Sequence, residues 1–121
     1  MKQKTTLMLL AALLLSTSMW AQNVAEVTNT ADGTSVGKYT TMAEALAAWT
    51  EGTTLTMQDN ATYDATATYT VTSNRTLDLN GKTLTWNVAA VDDAIDVNAG
   101  VDFTIKGDAS SRGTLSFVCA N

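Results

Sequence analysis

The sequence predicts an all-β fold, a short parallel β-helix of about three coils closed at its N-terminal end by an amphipathic helix. Three observations carry that expectation. After Gly52, apolar residues recur with period two to the end of the chain, as strands half-buried on a pleated surface require. The apolar pairs also repeat: an offset of 22 carries Leu55 and Met57 onto Leu77 and Leu79, and a further 26 carries those onto Phe103 and Ile105. The residues before these strands (Gly52, Asn74, Gly100) and after them (Asp59, Gly81, Gly107) superpose under the same offsets. Gly, Asn and Asp tolerate positive φ, so both positions read as left-handed corners.

Residues 1–21 have the order of a secretory signal peptide: Lys2 and Lys4, an unbroken apolar run over residues 7–15, then small and polar residues ending in Ala21-Gln22. The run is far shorter than the roughly 20 apolar residues of a membrane-spanning helix. The expected product is secreted or displayed at the cell surface, with no transmembrane span once the signal is removed. Residues 22–121 suffice for one small domain with a thin core. They retain five of the seven basic residues and all twelve acidic ones, a net charge of −7. That balance repels nucleic acid, whose binding depends on clustered Lys and Arg.

Thr41-Met42-Ala43-Glu44 has the capping-box pattern. Met42, Ala45, Leu46 and Trp49 follow at helical spacing, and Gly52 stands where a left-handed stop belongs. The helix is therefore expected at about 42–50 and the coils at about 53–118. Seven short strands are expected, around Leu55/Met57, Ala67/Tyr69/Val71, Leu77/Leu79, Leu84/Trp86/Val88, Ile95/Val97, Val101/Phe103/Ile105 and Leu115/Phe117. Val71 matches Val97, and Leu84/Trp86 match Leu115/Phe117 once five extra residues at 108–112 are allowed. Repeating units that bury their inward side chains against the next unit are the signature of a solenoid. A β-sandwich is the structural alternative. Hairpin chemistry is thin, with Asn80-Gly81 the one strong turn dipeptide.

Residues 38–49 (KYTTMAEALAAW), the following GTTLTM at 52–57 and above all LDLNGKTL at 77–84 resemble the opening of right-handed parallel β-helix domains of the pectate-lyase-like superfamily, as seen in large bacterial surface proteins. The resemblance covers roughly residues 24–117 and is specific for fold rather than for activity. Trp20-Ala21-Gln22 also resembles the end of the signal in exported proteins of the Bacteroides group. The enzymes of the superfamily act on polysaccharides with acidic, Arg, Lys or His residues on outward faces of many coils. Three coils stack only about 10 to 15 Å at the spacing of neighbouring strands, too short for a substrate groove.

The chain contains no histidine, which removes a histidine general base, a Ser-His-Asp triad and His-ligated metals. Its densest acidic cluster is Asp92, Asp93 and Asp96. Clustered oxygens suit Ca²⁺ and paired carboxylates suit sugar chemistry, while a solvated turn with an aspartate bonding its own backbone explains the same residues. No other cofactor is expected. The offsets place Thr54/Thr76/Asp102, Thr56/Asp78/Thr104 and Gln58/Asn80/Lys106 in outward columns, a flat polar face without the exposed aromatic rings of a sugar-binding surface. Trp49 and Trp86 belong to the core, whereas Tyr39 and Tyr63 are the aromatics least committed to the inward pattern. Arg75 and Arg112 fall at corners and receive no role. Cys119, the single cysteine, excludes an internal disulfide and reads as a small buried hydrophobe.

These features favour a non-catalytic, adhesin-like module whose strands act as spacer and display platform, with polysaccharides or cell-surface glycans as partners. Two alternatives stand beside it: the N-terminal part of a carbohydrate-active enzyme, and a carbohydrate- or Ca²⁺-binding module using the Asp92 to Asp96 turn. A solenoid needs a polar cap at each end, so the last expected strand, lying so near Asn121, suggests a β-helix incomplete at its C-terminus.

Overall fold

Thr-rich alternation becomes ten strands and one helix in the computed structural model, which describes residues 22–88 and 93–119. The expected signal peptide lies outside the described residues. In chain order the elements are β1 (Ala25–Asn29), β2 (Ser35–Tyr39), α1 (Met42–Ala48), β3 (Thr53–Met57), β4 (Ala61–Asp64), β5 (Tyr69–Val71), β6 (Arg75–Asp78), β7 (Thr83–Val88), β8 (Ile95–Val97), β9 (Phe103–Lys106) and β10 (Thr114–Cys119).

The strands form three separate sheets: a mixed one, β2-β1-β3-β6-β9, and two parallel ones, β10-β7-β4 and β5-β8. This corrects the expected right-handed parallel β-helix of about three coils. The described residues form no continuously wound sheet, and two of the four ladders in the largest sheet are antiparallel, β1 with β2 and β1 with β3. The cause lies in residues 24–39, which the expectation left unassigned. Ala25 and Val27 alternate with polar residues, and both are fully buried. Asp32-Gly33 closes the hairpin: Asp32 Oδ1 accepts the Thr34 N–H at 2.9 Å and Gly33 takes φ 75°, the conformation an Asp-Gly turn favours. Asn80-Gly81 is thus not the only strong turn dipeptide. The described residues form no sandwich of antiparallel sheets either, since every ladder among them after β3 is parallel.

Helix α1 is shorter than expected but starts where the sequence places it. Thr41 Oγ1 accepts the Glu44 N–H at 3.3 Å and donates to Glu44 Oε1 at 3.0 Å, so the carboxylate meets the hydroxyl rather than the Thr41 amide. Trp49 leaves the helix with ψ 94°, and Gly52, φ 73°, lies in the turn before β3 instead of ending the helix. The buried face of α1, Met42, Ala45 and Leu46, lies against β1, β2 and β4. The helix therefore does not close the large sheet, whose end is formed by β1 and β2.

The register confirms the first offset and corrects the second. Leu55 pairs with Leu77, but Leu77 pairs with Ile105 and Arg75 with Phe103, an offset of 28 in place of 26. A slip of two residues keeps every side chain on its face, which is why alternation alone could not detect it. Tyr63 pairs with Trp86 and Trp86 with Phe117, and Val71 with Val97.

The core is aromatic at its centre. Trp86, 1% exposed, meets Tyr63 edge-on at 4.7 Å and Tyr69 at 5.7 Å, geometries that add to simple burial. Its Nε1–H finds no acceptor among the described residues. Trp49, 2% exposed, donates Nε1–H to the Thr76 carbonyl at 3.0 Å, stacks on Tyr69 and meets Phe103 edge-on. The ring that ends the helix thereby fastens β5, β6 and β9 together.

Candidate functional site

The outward side of the large sheet is a ladder of hydroxyls and charges. The observed register stacks Thr54, Thr76 and Thr104 in one column and Thr56, Asp78 and Lys106 in the next, replacing the expected columns in which Asp102, Thr104 and Lys106 were the third members beside Thr76, Asp78 and Asn80. Thr30 and Thr54 share a hydroxyl hydrogen bond of 2.8 Å. Lys106 Nζ lies 3.9 Å from Asp78 Oδ2, a partly exposed pair of small energetic weight.

Where these columns meet the corner, an open recess of about 200 Å³ is lined by Thr30, Gly52, Asn74, Arg75, Thr76, Asp102 and Thr104. The corner is built from backbone bonds: Thr30 N–H to Gly52 O at 2.9 Å, Gly52 N–H to Asn74 O at 2.9 Å, and Arg75 N–H to Asp102 O at 3.2 Å. Asn74 Oδ1 adds the Asp102 N–H at 2.8 Å. Asn74 has an ordinary φ, so it holds the corner through its side-chain acceptor and not through a left-handed backbone. Gly107 likewise lacks positive φ, and a Cβ there would collide with the Arg112 carbonyl.

Arg75, assigned no role from its corner position, is the functional-looking residue of this region. Its guanidinium turns away from the recess: Nη1 donates to Trp49 O at 2.8 Å and Tyr69 Oη at 3.0 Å, Nη2 to Ser73 Oγ at 2.6 Å and Nε to Ser73 O at 3.3 Å. The cation also lies 5.5 Å from the centre of the Trp49 ring. Arg75 is committed to closing the end of α1 onto β5 and β6. Burial raises the Tyr69 phenol above its ordinary 10.0, with the nearby Arg75 charge opposing that shift. A signal for this role exists in the sequence only as an inward-parity arginine flanked by apolar strands.

Other polar side chains have similar structural duties. Asn60 Oδ1 accepts the Thr83 N–H at 2.8 Å, Asn80 Nδ2 donates to Met57 O at 3.0 Å, and Asn87 Nδ2 donates to Asp64 Oδ1 at 2.6 Å. Each bond joins residues 23 apart, so the amides tie one layer of strands to the next.

The acidic cluster is only partly described. Asp92 lies outside the described residues; Asp93 and Asp96 are exposed, with the Asp93 carbonyl accepting Thr68 Oγ1 at 2.8 Å and Asp96 opposite Thr70 in the β5/β8 ladder. Among the described residues no three of His, Cys, Asp and Glu are grouped so as to hold a metal ion. Tyr39 and Tyr63 are partly buried against the core. Cys119 is exposed instead of buried, because β10 is the terminal strand of its sheet and nothing described covers its outer edge. No described helix is long and apolar enough to cross a membrane.

No family model, curated protein or solved structure matches the chain. The likeness to the pectate-lyase-like superfamily therefore rests on the quoted sequence segments alone. The site has to be judged by its own chemistry, which consists of hydroxyls, amides and a carboxylate around a shallow, solvent-open recess.

Proposed function

We propose that the chain is a non-catalytic scaffold module of an exported protein, holding a flat threonine-rich surface at the cell surface or in the surrounding medium. The observation that carries this reading is the deployment of its polar groups. Arg75, Asn60, Asn74, Asn80 and Asn87, the side chains best able to bind or activate a substrate, are bonded to corners and neighbouring strands. The signal-like residues 1–21 support export, and the acidic balance supports a partner that is neither nucleic acid nor an anionic membrane. Surface glycans fit a face of hydroxyls and charges as weak, displayed contacts.

The test is a joint assay on the purified chain. Incubation with a panel of plant and bacterial polysaccharides, followed by reducing-end and unsaturated-product readouts, is expected to show no turnover. Thermal melting with and without Ca²⁺ is expected to give one midpoint, because a ligand that binds only the folded state must raise it. Product release would assign the chain to the carbohydrate-active class, and a calcium-dependent midpoint would make Asp92, Asp93 and Asp96 a binding site; either result overturns the scaffold reading.

A further inference from the structure

One end of the molecule carries three terminal strands, β8, β9 and β10, each with a single ladder partner among the described residues. One inward side chain on each is uncovered: Val97 is 40% exposed, Ile105 46% and Phe117 45%, while their ladder partners Val71, Leu77 and Trp86 are at most 2% exposed; Ile95, Phe103 and Leu115 on the same strands are partly buried against the core. An apolar layer with open strand edges is a template for pairing with another chain.

We propose that this end is the interface with a second copy of the chain, joined across a two-fold axis by antiparallel pairing of β9 with β9 of the partner. The register follows from the edge itself. The Asp102 and Lys106 carbonyls accept from Arg75 and Leu79 of the neighbouring β6 segment at 3.2 and 2.8 Å, so by alternation along the strand the backbone groups of Phe103 and Ile105 point to the open side. Opposite residues must share a face, which leaves registers that differ by two residues. Centring the pair on Thr104 sets Phe103 against Ile105 of the second copy twice over, so every open backbone group of β9 is bonded. The same register places Asp102 opposite Lys106 of the second copy, again twice, on the outward face. Shifting by one pleat one way sets Asp102 opposite Thr104 and Lys106 opposite Gly100, and the other way sets Lys106 opposite Thr104 and Asp102 against the like-charged Asp108; either shift sends bonded pairs beyond the strand. The arrangement is isologous, each patch meeting its own copy. It covers Ile105 directly, and Val97 and Phe117 face the same approach.

Charge exchange tests it. Wild-type chain in sedimentation velocity is expected to pass from monomer to dimer as concentration rises. Asp102→Lys places lysines opposite lysines, and Lys106→Asp places aspartates opposite aspartates. Each is expected to raise the dimer dissociation constant at least about tenfold, since two cross-strand pairs change from attractive to repulsive. An equimolar mixture of the two variants restores both pairs and is expected to dimerise as a heterodimer. A geometric measurement independent of those variants uses Thr104→Cys with Cys119→Ser. Residues facing across the axis in a non-hydrogen-bonded pair lie about 4.5 Å apart at Cα, within disulfide reach, so mild oxidation is expected to give a covalent dimer, and Thr56→Cys in the same background is not. A wild-type chain that stays monomeric at every concentration, a mixture no more associated than its separate components, or an absence of cross-linking at residue 104 would each overturn the proposal. Coverage of this end by another part of the chain would give the first of these results.

Discussion

Two layers of the same ladder behave differently. Leu55 and Leu77 are 0% and 2% exposed, whereas Ile105, the next residue in that inward column, is 46% exposed. The side chains are chemically alike, so hydrophobicity does not set their burial. Position in the stack does: Leu77 has a strand on each side, and Ile105 has β6 on one side and no described strand on the other. The difference teaches that stability here accrues by layer, each layer protecting the one before it.

The largest expected effects fall in the middle layer. Leu77→Ala is expected to cost about 2 to 5 kcal/mol, the range for emptying a packed core position, a large part of the margin of a small domain. Ile105→Ala in the terminal layer is expected to cost under about 1 kcal/mol, since half its surface is already in water. Urea denaturation of both variants checks the contrast, and equal losses would break it. Next is Arg75→Leu, expected to lower stability by about 2 kcal/mol, because the buried Trp49 carbonyl loses its charged donor; a shift in tryptophan fluorescence should accompany the loss. Asn74→Ala removes the acceptor for the Asp102 N–H and is expected to cost about 1 kcal/mol, read as a lower melting temperature.

The smallest effect is set by pH. Tyr69 titrates above its ordinary 10.0 in the folded chain because burial disfavours the phenolate. The folded state thus holds the proton more tightly than the unfolded state, so this contribution is intact below pH 10 and declines as pH rises above it. Denaturation midpoints followed across that alkaline range should fall, and Tyr69→Phe should flatten part of the decline.

Local elements of this architecture are legible in the residues, but its overall topology is not. The capping pattern at Thr41 located the helix, and the 22-residue offset located the pairing of Leu55 with Leu77, since both signals are local or governed by period two. The third strand of that column departs from the expected register because matching apolar residues to Leu77 and Leu79 points to an offset of 26, whereas the fold sets the inward Arg75 opposite Phe103. An arginine with its donors bonded inside breaks the rule that inward means apolar. The β1/β2 hairpin, which Asp32-Gly33 announces, is not part of the expected fold because it lies outside the period-two repeat that follows Gly52. Strand β4 was missed because Tyr63 alternates with residues too small or polar to register as apolar. The recess at Asn74 and Asp102 was not legible, as it depends on a corner made by residues 28 apart.

The layer account is tested most directly by site-resolved amide hydrogen exchange on the Lys106→Asp variant, in which the proposed self-association is disfavoured. Protection is expected to be greatest in β3, β6 and β7 and to fall sharply in β8, β9 and β10, since exchange reports the free energy of local opening. Uniform protection across all three layers would contradict the account, because it would mean that the terminal layer is held as firmly as the core.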